Sequence, residues 1–436
     1  MFILPAGMNN TSGNTMEEIL TGRQKMPPAA QIPRGTCKLF GAIKALGTIR
    51  KSTILVHGPK GCVYHINYIL GMRGDRPSEI YTTSLDEHDV IFGAEQKLKD
   101  AISYLDSMLS PDLLFVLSCC SSGIIGEDVD HAVNNTETRS RAIAIDAGGF
   151  EGDFHDGYSE TLCQLVREFA TETSDLSLSP AERSVNLIGM LRSGPDLAEL
   201  RRMLGSIGIP VHAVLTAAAS IRDLEDLHRA ALNIVVCEPA GLAAAMLLEE
   251  LYGTPYIVEE IPIGCRSSIR FLQQVAAALG IPIPDFAGIP YPDAPPNTSH
   301  SPGIPFIWGL NDRRIALAGG PTRSISMIRF LAEYEAAPRL VILDFAPVGS
   351  PFREKIRSLL HPSVEILIEP EYETIMEKLQ DEKVDLLIGG LLEQPMAQVL
   401  GIEHIDIMHG SRKTVGFSGV KELELVLGAG HDPDTT

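Results

Sequence analysis

Ser52-Thr53-Ile54-Leu55-Val56-His57-Gly58-Pro59-Lys60-Gly61-Cys62 is the stretch that decides the fold. Ser52 to Val56 is short, largely apolar and partly β-branched, so it reads as a buried strand. The His-Gly-Pro-Lys-Gly loop must turn, and a helical pattern containing His65 and Tyr68 follows. The same grammar returns at Leu113 to Leu117, which runs into Ser118-Cys119-Cys120-Ser121-Ser122-Gly123. Asp89 to Leu105 between them reads as one amphipathic helix, and Arg141 to Asp146 as a further strand followed by the helix Gly157 to Thr171. Strands of four to six apolar residues alternating with helices predict parallel sheets covered on both faces.

The grammar restarts twice. Strands are expected at Ser184 to Met190, Val211 to Leu215, Leu232 to Val236 and Pro255 to Glu259, and then at Arg314 to Ala318, Arg339 to Leu343, Val384 to Ile388 and Ile405 to Met408. A polar stretch at 172–183 and a proline-dense one at 281–305 read as linkers. The expected organisation is an N-terminal arm (1–30) and three Rossmann-like α/β domains at 31–183, 184–295 and 296–436. Each is a parallel sheet flanked by helices.

Composition narrows the partners. The chain has 436 residues and a formal net charge of -20, which disfavours nucleic acid and anionic membrane. Seven cysteines are an odd number with no disulfide framework, and together with the absence of a signal-like start they imply a reducing cytoplasm. No apolar run is long enough to span a membrane. Gly58-Pro59-Lys60-Gly61 lacks the full phosphate-loop pattern, so no nucleotide site is expected.

Cys37, Cys62 and Cys120 lie among small residues, two of them just past strand ends, where a bulky inorganic ligand can approach. Three thiolates fall short of the roughly four protein ligands of a four-iron cluster, so another chain or another group must complete such a site. Alternation along an extended segment turns Cys119 away from Cys120, to a structural position.

These residues carry a resemblance. Arg34-Gly35-Thr36-Cys37, His57 to Cys62, Thr82 to Glu87, Cys120 with Gly123 to Asp128, Gly149-Phe150-Glu151-Gly152, Val185 to Gly189, Asn233 to Cys237, Tyr252 to Pro255, Gly319-Gly320, Met408-His409 and Gly416 to Gly419 occur in an order that resembles the component-one subunits of nitrogenase and nitrogenase-like reductases. The alpha, active-site-bearing branch is the most similar. The resemblance implies that Cys37, Cys62 and Cys120 hold an electron-relay iron–sulfur cluster, of four-iron or P-cluster type, at an interface with a sister subunit, in a tetramer of two unlike pairs. It implies that Cys237 binds a terminal iron of a complex iron–sulfur catalytic cofactor. It also implies a separate homodimeric, ATP-dependent iron–sulfur reductase that supplies electrons.

The other end of that cofactor departs from the family. In nitrogenase a histidine directly precedes Gly-Phe-x-Gly; here Val415 precedes Gly416-Phe417-Ser418-Gly419, and His409 lies six residues earlier. His409 is the candidate second anchor. His155 falls near the position of a nitrogenase glutamine and is the candidate proton donor to a small-molecule substrate; Ser159 stands where a histidine is usual. Pro321-Thr322-Arg323 displaces a customary arginine, and His65, Tyr68 and Arg73 lead from Cys62 toward the pocket. The expected function is the catalytic subunit of a two-component reductase, with the carbon–sulfur bond of a methylthio-alkane favoured over dinitrogen. The alternatives are a cofactor-assembly scaffold, which keeps the thiolate and lacks the histidine, and a subunit of a tetrapyrrole reductase with an open cavity.

Overall fold

The computed structural model describes residues 36–72, 79–148, 150, 152–169, 181–192, 194–282, 307, 309–345 and 351–428. The N-terminal arm and most of both linkers lie outside these residues, as do Arg73 and the end of the expected helix to Thr171. The described residues belong to one compact unit.

That unit contains three parallel sheets. The first comprises β1 (Ser52–Val56), β2 (Ile80–Thr82), β3 (Leu113–Leu117) and β4 (Arg141–Ile145), in the order β2-β1-β3-β4. The second comprises β5 (Ala181–Ile188), β6 (Val211–Leu215), β7 (Ala230–Val235) and β8 (Tyr256–Val258), in the order β6-β5-β7-β8. The third comprises β9 (Ile315–Gly319), β10 (Pro338–Leu343), β11 (Glu365–Ile368), β12 (Leu386–Gly389) and β13 (Glu403–Asp406), in the order β11-β10-β9-β12-β13. Every residue of β3, β9 and β12 is buried. Central parallel strands covered on both faces require such continuous apolar runs.

Two expectations change. The helix expected over Asp89 to Leu105 is two helices, Glu87–Phe92 and Glu95–Leu109. Asp86 caps the first by accepting the His88 and Asp89 N–H groups, and Gly93, at φ 84°, ends it in a conformation closed to most side chains. Glu127 then accepts the Ala94 N–H at 2.6 Å. The expected linker at 172–183 ends early, because β5 starts at Ala181. The edge strands β2 and β11 are short and half-buried, and their patterns are too weak to read in sequence.

The helix Phe154–Glu168 ties the first sheet to the second. One side packs on the helix Lys38–Leu46, the other on the helix Glu238–Tyr252. A Cβ at Gly41 would fall 1.9 Å from the Phe154 carbonyl oxygen, and one at Gly157 would fall 2.0 Å from that of Lys38. The two backbones therefore touch directly, and an antiparallel bridge joins Cys37 to Asp153.

Candidate functional site

Each sheet's strand order reverses once, between β1 and β3, between β5 and β7, and between β9 and β12. At such a switch point the loops leaving neighbouring strands part to opposite faces and open a crevice at the carboxyl edge. Cys62 and Cys120 follow β1 and β3. Cys237 follows β7, opposite Gly189 after β5. Gly320 and Gly390 follow β9 and β12. Cys62, Cys120 and Cys237 thus sit where open α/β sheets bind ligands.

At the first crevice, Cys37 is exposed and Cys62 and Cys120 are partly exposed. The Cys62 thiol is pushed up, first by its hydrogen bond with Cys119, then by burial and by the nearby Cys119, Cys120 and Cys37. The three cysteines singled out in the sequence are therefore neighbours. Cys119 is fully buried, but its sulfur turns toward Cys62 and lies 3.2 Å from the His57 carbonyl oxygen. Cys119 is not mid-strand: it caps the helix Cys120–Ile125, with the Ser122 hydroxyl accepting its N–H at 2.8 Å. Beneath the loop, buried His57 places Nδ1 3.0 Å from the Thr83 hydroxyl and Nε2 3.7 Å from Glu127, and burial pushes it down. Large apolar side chains stand exposed on the nearby helices and loops, among them Tyr64, Ile91, Phe92, Ile124 and Phe150.

Cys237 is buried at the N-terminus of the helix Glu238–Tyr252. Its sulfur is 3.7 Å from the Thr322 hydroxyl, which belongs to the third sheet's helix Pro321–Glu333. Burial pushes the thiol up, opposed by Thr322, the Ala240 N–H and the Arg323 charge. Gly189 has φ 80°, and a Cβ there would meet the Cys237 carbonyl oxygen at 2.9 Å. Tyr158, from the first sheet's last helix, is fully buried within electrostatic reach of Cys237.

Arg323 does not face solvent. Its Nη1 donates to the Thr414 hydroxyl at 2.6 Å and to the Ile407 carbonyl at 3.2 Å, and its Nη2 is 3.2 Å from Asp196. Asp196 also accepts the Thr414 N–H at 2.8 Å and pairs with Arg192. Burial pushes the Asp196 carboxyl up, but the two arginines and the Thr414 N–H outweigh it and hold it below the usual carboxylate range.

His155 stacks on Phe345, with ring centroids 3.5 Å apart. Burial drives it down to about 4 against the weaker pull of Asp153 and Asp156, so the ring is neutral at ordinary pH. His409 lies against Gly390 at the carboxyl edge of the third sheet. Its Nδ1 is 3.1 Å from Asp406 Oδ2 and 3.3 Å from the Leu391 N–H. Burial raises Asp406, but the His409 contact and two backbone N–H groups bring it below its ordinary value. Val415 is fully buried in the core. His65 and Tyr68 are exposed on the helix Lys60–Met72, and Ser159 is half-buried on the helix Phe154–Glu168.

Sequence reasoning passed over Cys119, Thr322, Phe345 and Asp196 as parts of these sites. The Cys119-Cys120 pair at a strand end was a signal; the other three carry none, because their partners lie far away along the chain. Among the described residues, no three His, Cys, Asp or Glu side chains converge as ligands of one metal ion do, and no helix is long and apolar enough to cross a membrane.

Comparison with known proteins agrees with this architecture. The chain is 27% identical over 418 residues to the nitrogenase iron–molybdenum cofactor biosynthesis protein NifE of Clostridium pasteurianum, covering 92% of this chain and 88% of that protein. It is 24% identical over 440 residues to the nitrogenase molybdenum–iron protein beta chain of Methanococcus maripaludis, covering 90% and 92%. The solved structure of nitrogenase Cp1 at pH 6.5 superposes with a TM-score of 0.78 at 20% identity, over 97% of this chain and 98% of that one, and so shares the fold. The family model for nitrogenase component 1 type oxidoreductases matches residues 37–424, and the chain belongs to that family.

Proposed function

We propose that this chain is the catalytic, alpha-type subunit of an ATP-dependent two-component reductase of the nitrogenase kind. Cys37, Cys62 and Cys120 would hold an interface iron–sulfur cluster shared with a sister subunit, and Cys237 and His409 a larger iron–sulfur cofactor. The donor sets fit these groups. The three thiols are neighbours near the surface without converging on one point, as suits a cluster in which thiolates bind different irons rather than a single ion. The exposed apolar side chains nearby suit burial against a sister subunit. At the second site, Cys237 lies at a helix N-terminus opposite Thr322, where burial raises the thiol and a bound iron would draw off its proton.

The observation that carries the catalytic reading is the contact of His409 with Asp406. In the tautomer with the proton on Nδ1, that proton goes to the carboxylate, the Leu391 N–H gives up Nδ1 as an acceptor, and Nε2 is free to ligate, the usual arrangement of a metal-binding histidine held by a carboxylate. Two anchors suit a cofactor that must stay in place. When bound, the cofactor supplies low-potential electrons to an unreactive bond. This chain's residues shape the approach: the His155–Phe345 stack offers an apolar, uncharged face, and Thr322 stands opposite the Cys237 sulfur. The departures from nitrogenase at His155, Ser159 and Val415 favour the carbon–sulfur bond of a methylthio-alkane over dinitrogen.

A second reading, the cofactor-assembly scaffold, is favoured by Val415. It is a core residue where nitrogenase carries its histidine, and NifE is among the relatives. The test uses anaerobically purified protein with its sister subunit. Wild type given the reductase and ATP should release thiol and alkane from a methylthio-alkane, and His409→Ala should lose the larger cofactor's iron while the interface cluster's spectrum remains. A wild type that reduces nothing yet restores an empty nitrogenase makes the chain a scaffold. Iron for only one four-iron cluster per pair would favour the tetrapyrrole reductase.

A further inference from the structure

The two proposed anchors, Cys237 and His409, follow strands of different sheets, and one short segment touches both. It leaves β5 at Gly189, where a Cβ would meet the Cys237 carbonyl oxygen at 2.9 Å. The Leu191 N–H donates back to the Gly189 carbonyl at 3.0 Å, so the chain turns at once. Arg192 then reaches the loop after β13, which carries His409. Its Nη2 faces the carbonyl oxygens of Gly410 at 3.1 Å, of His409 at 3.4 Å and of Arg412. The loop turns through Gly410, at φ 76°, and so presents these oxygens to one nitrogen.

The other arm of the guanidinium is fixed. Nη1 pairs with buried Asp196, which also accepts the Thr414 N–H at 2.8 Å from the far end of the same loop. The loop's own bonds tie it to Asp406, which accepts the Met408 and His409 N–H groups at 2.8 and 2.9 Å and whose carbonyl accepts from Arg412 at 3.0 Å. These bonds shape the loop without reaching the second sheet. Arg192 makes that connection beside His409, and Asp196 makes it at Thr414. We infer that Arg192 is a positioning residue: by bridging Asp196 to the carbonyl oxygens of 409–412, it sets His409 at its working distance from Cys237. This inference rests on the reading of Cys237 and His409 as the cofactor's two anchors. A planar guanidinium with two terminal nitrogens can hold both partners at once, whereas a lysine ammonium is one point of charge.

The test uses the anaerobically purified complex with its sister subunit and compares wild type with Arg192→Ala, Arg192→Lys and His409→Ala. It reads amide hydrogen exchange at Met408 and His409, and the larger cofactor's iron against the interface cluster's spectrum. Arg192→Ala leaves Asp196 paired with Arg323, so the fold should hold and exchange in the first sheet should match wild type. Exchange at Met408 and His409 should rise about tenfold, as fits the loss of one bond from a charged donor. The larger cofactor's iron should fall as it does in His409→Ala, and Arg192→Lys should follow Arg192→Ala. Unchanged exchange at Met408 and His409 in Arg192→Ala overturns the inference. So does exchange that rises equally throughout the molecule, which would give Arg192 only a general packing role. Iron retained in Arg192→Ala but lost in His409→Ala overturns it too, and wild-type exchange in Arg192→Lys refutes the bridging geometry. Full iron in His409→Ala removes the anchor reading instead, and this inference with it.

Discussion

His155 is held flat against Phe345, and that stack governs its protonation. A buried imidazole loses the hydration that its cationic form needs, so it stays neutral down to about pH 4. The sign follows: the unfolded chain takes up the proton near pH 6.5, the folded chain only near 4. Stability from the neutral ring is complete above 6.5 and is lost as pH falls through about 4. Ring-labelled NMR should find a neutral His155 at pH 5.5, and Phe345→Ala, which exposes the ring, should move its midpoint up toward 6.5. A cationic His155 at pH 5.5 in the wild type would contradict this. A neutral ring can donate a hydrogen bond to substrate, but transfer of a whole proton from imidazolium is disfavoured here.

At the scale of elements, the contact of the helices Lys38–Leu46 and Phe154–Glu168 matters most. It sets Cys37 beside Asp153, two residues from His155, while the other side of the second helix brings Tyr158 toward Cys237. The contact exists because Gly41 and Gly157 carry no side chain at the crossing. In Gly157→Ala the methyl would overlap the Lys38 backbone, which cannot rotate away as a flexible side chain can. The expected cost is at or above the ~1–3 kcal/mol of an overpacked core, read as a lower denaturation midpoint. Iron content should fall as well, because Cys37 moves with its helix. Gly205→Ala, where a Cβ meets nothing within 4 Å and alanine favours the surrounding helix, is the control and should unfold at or slightly above the wild-type midpoint.

Across the whole molecule, the second and third sheets are joined by charge as well as by apolar packing. Asp196 belongs to the helix Pro195–Ser206, and Arg323 and Thr414 belong to the third sheet's surroundings. All three are buried, and Arg323 follows the residue that faces Cys237. Asp196→Asn leaves two guanidinium groups without their counter-charge, a change that costs about 3–5 kcal/mol for buried pairs. The Asp196 carboxyl is held below its ordinary value, so its contribution is present above about pH 4 and disappears as pH falls through the folded-state value. Chemical unfolding should therefore find Asp196→Asn well below wild type at pH 7, with the gap narrowing in acid. Equal stabilities at pH 7 would show that the network does not hold the two sheets together.

The residues alone determined the class of fold and the positions of the thiols along it. Leu113–Leu117 is a strand with the boundaries its apolar run marks, because a strand buried on both faces must be apolar throughout. Cys62, Cys120 and Cys237 were legible because each follows such a run. Strand order was not legible: nothing local says that β3 lies beside β1 rather than beyond β2, yet that order creates the crevices. Nor was the turn of Cys119 toward Cys62, which depends on a helix start that replaces strand alternation with a cap. Thr322 opposite Cys237, Phe345 on His155 and Arg323 on Asp196 join residues more than eighty positions apart. Local pattern carries period and propensity, whereas such pairings exist only once the sheets have packed and burial obliges each polar group to find its partners within the protein.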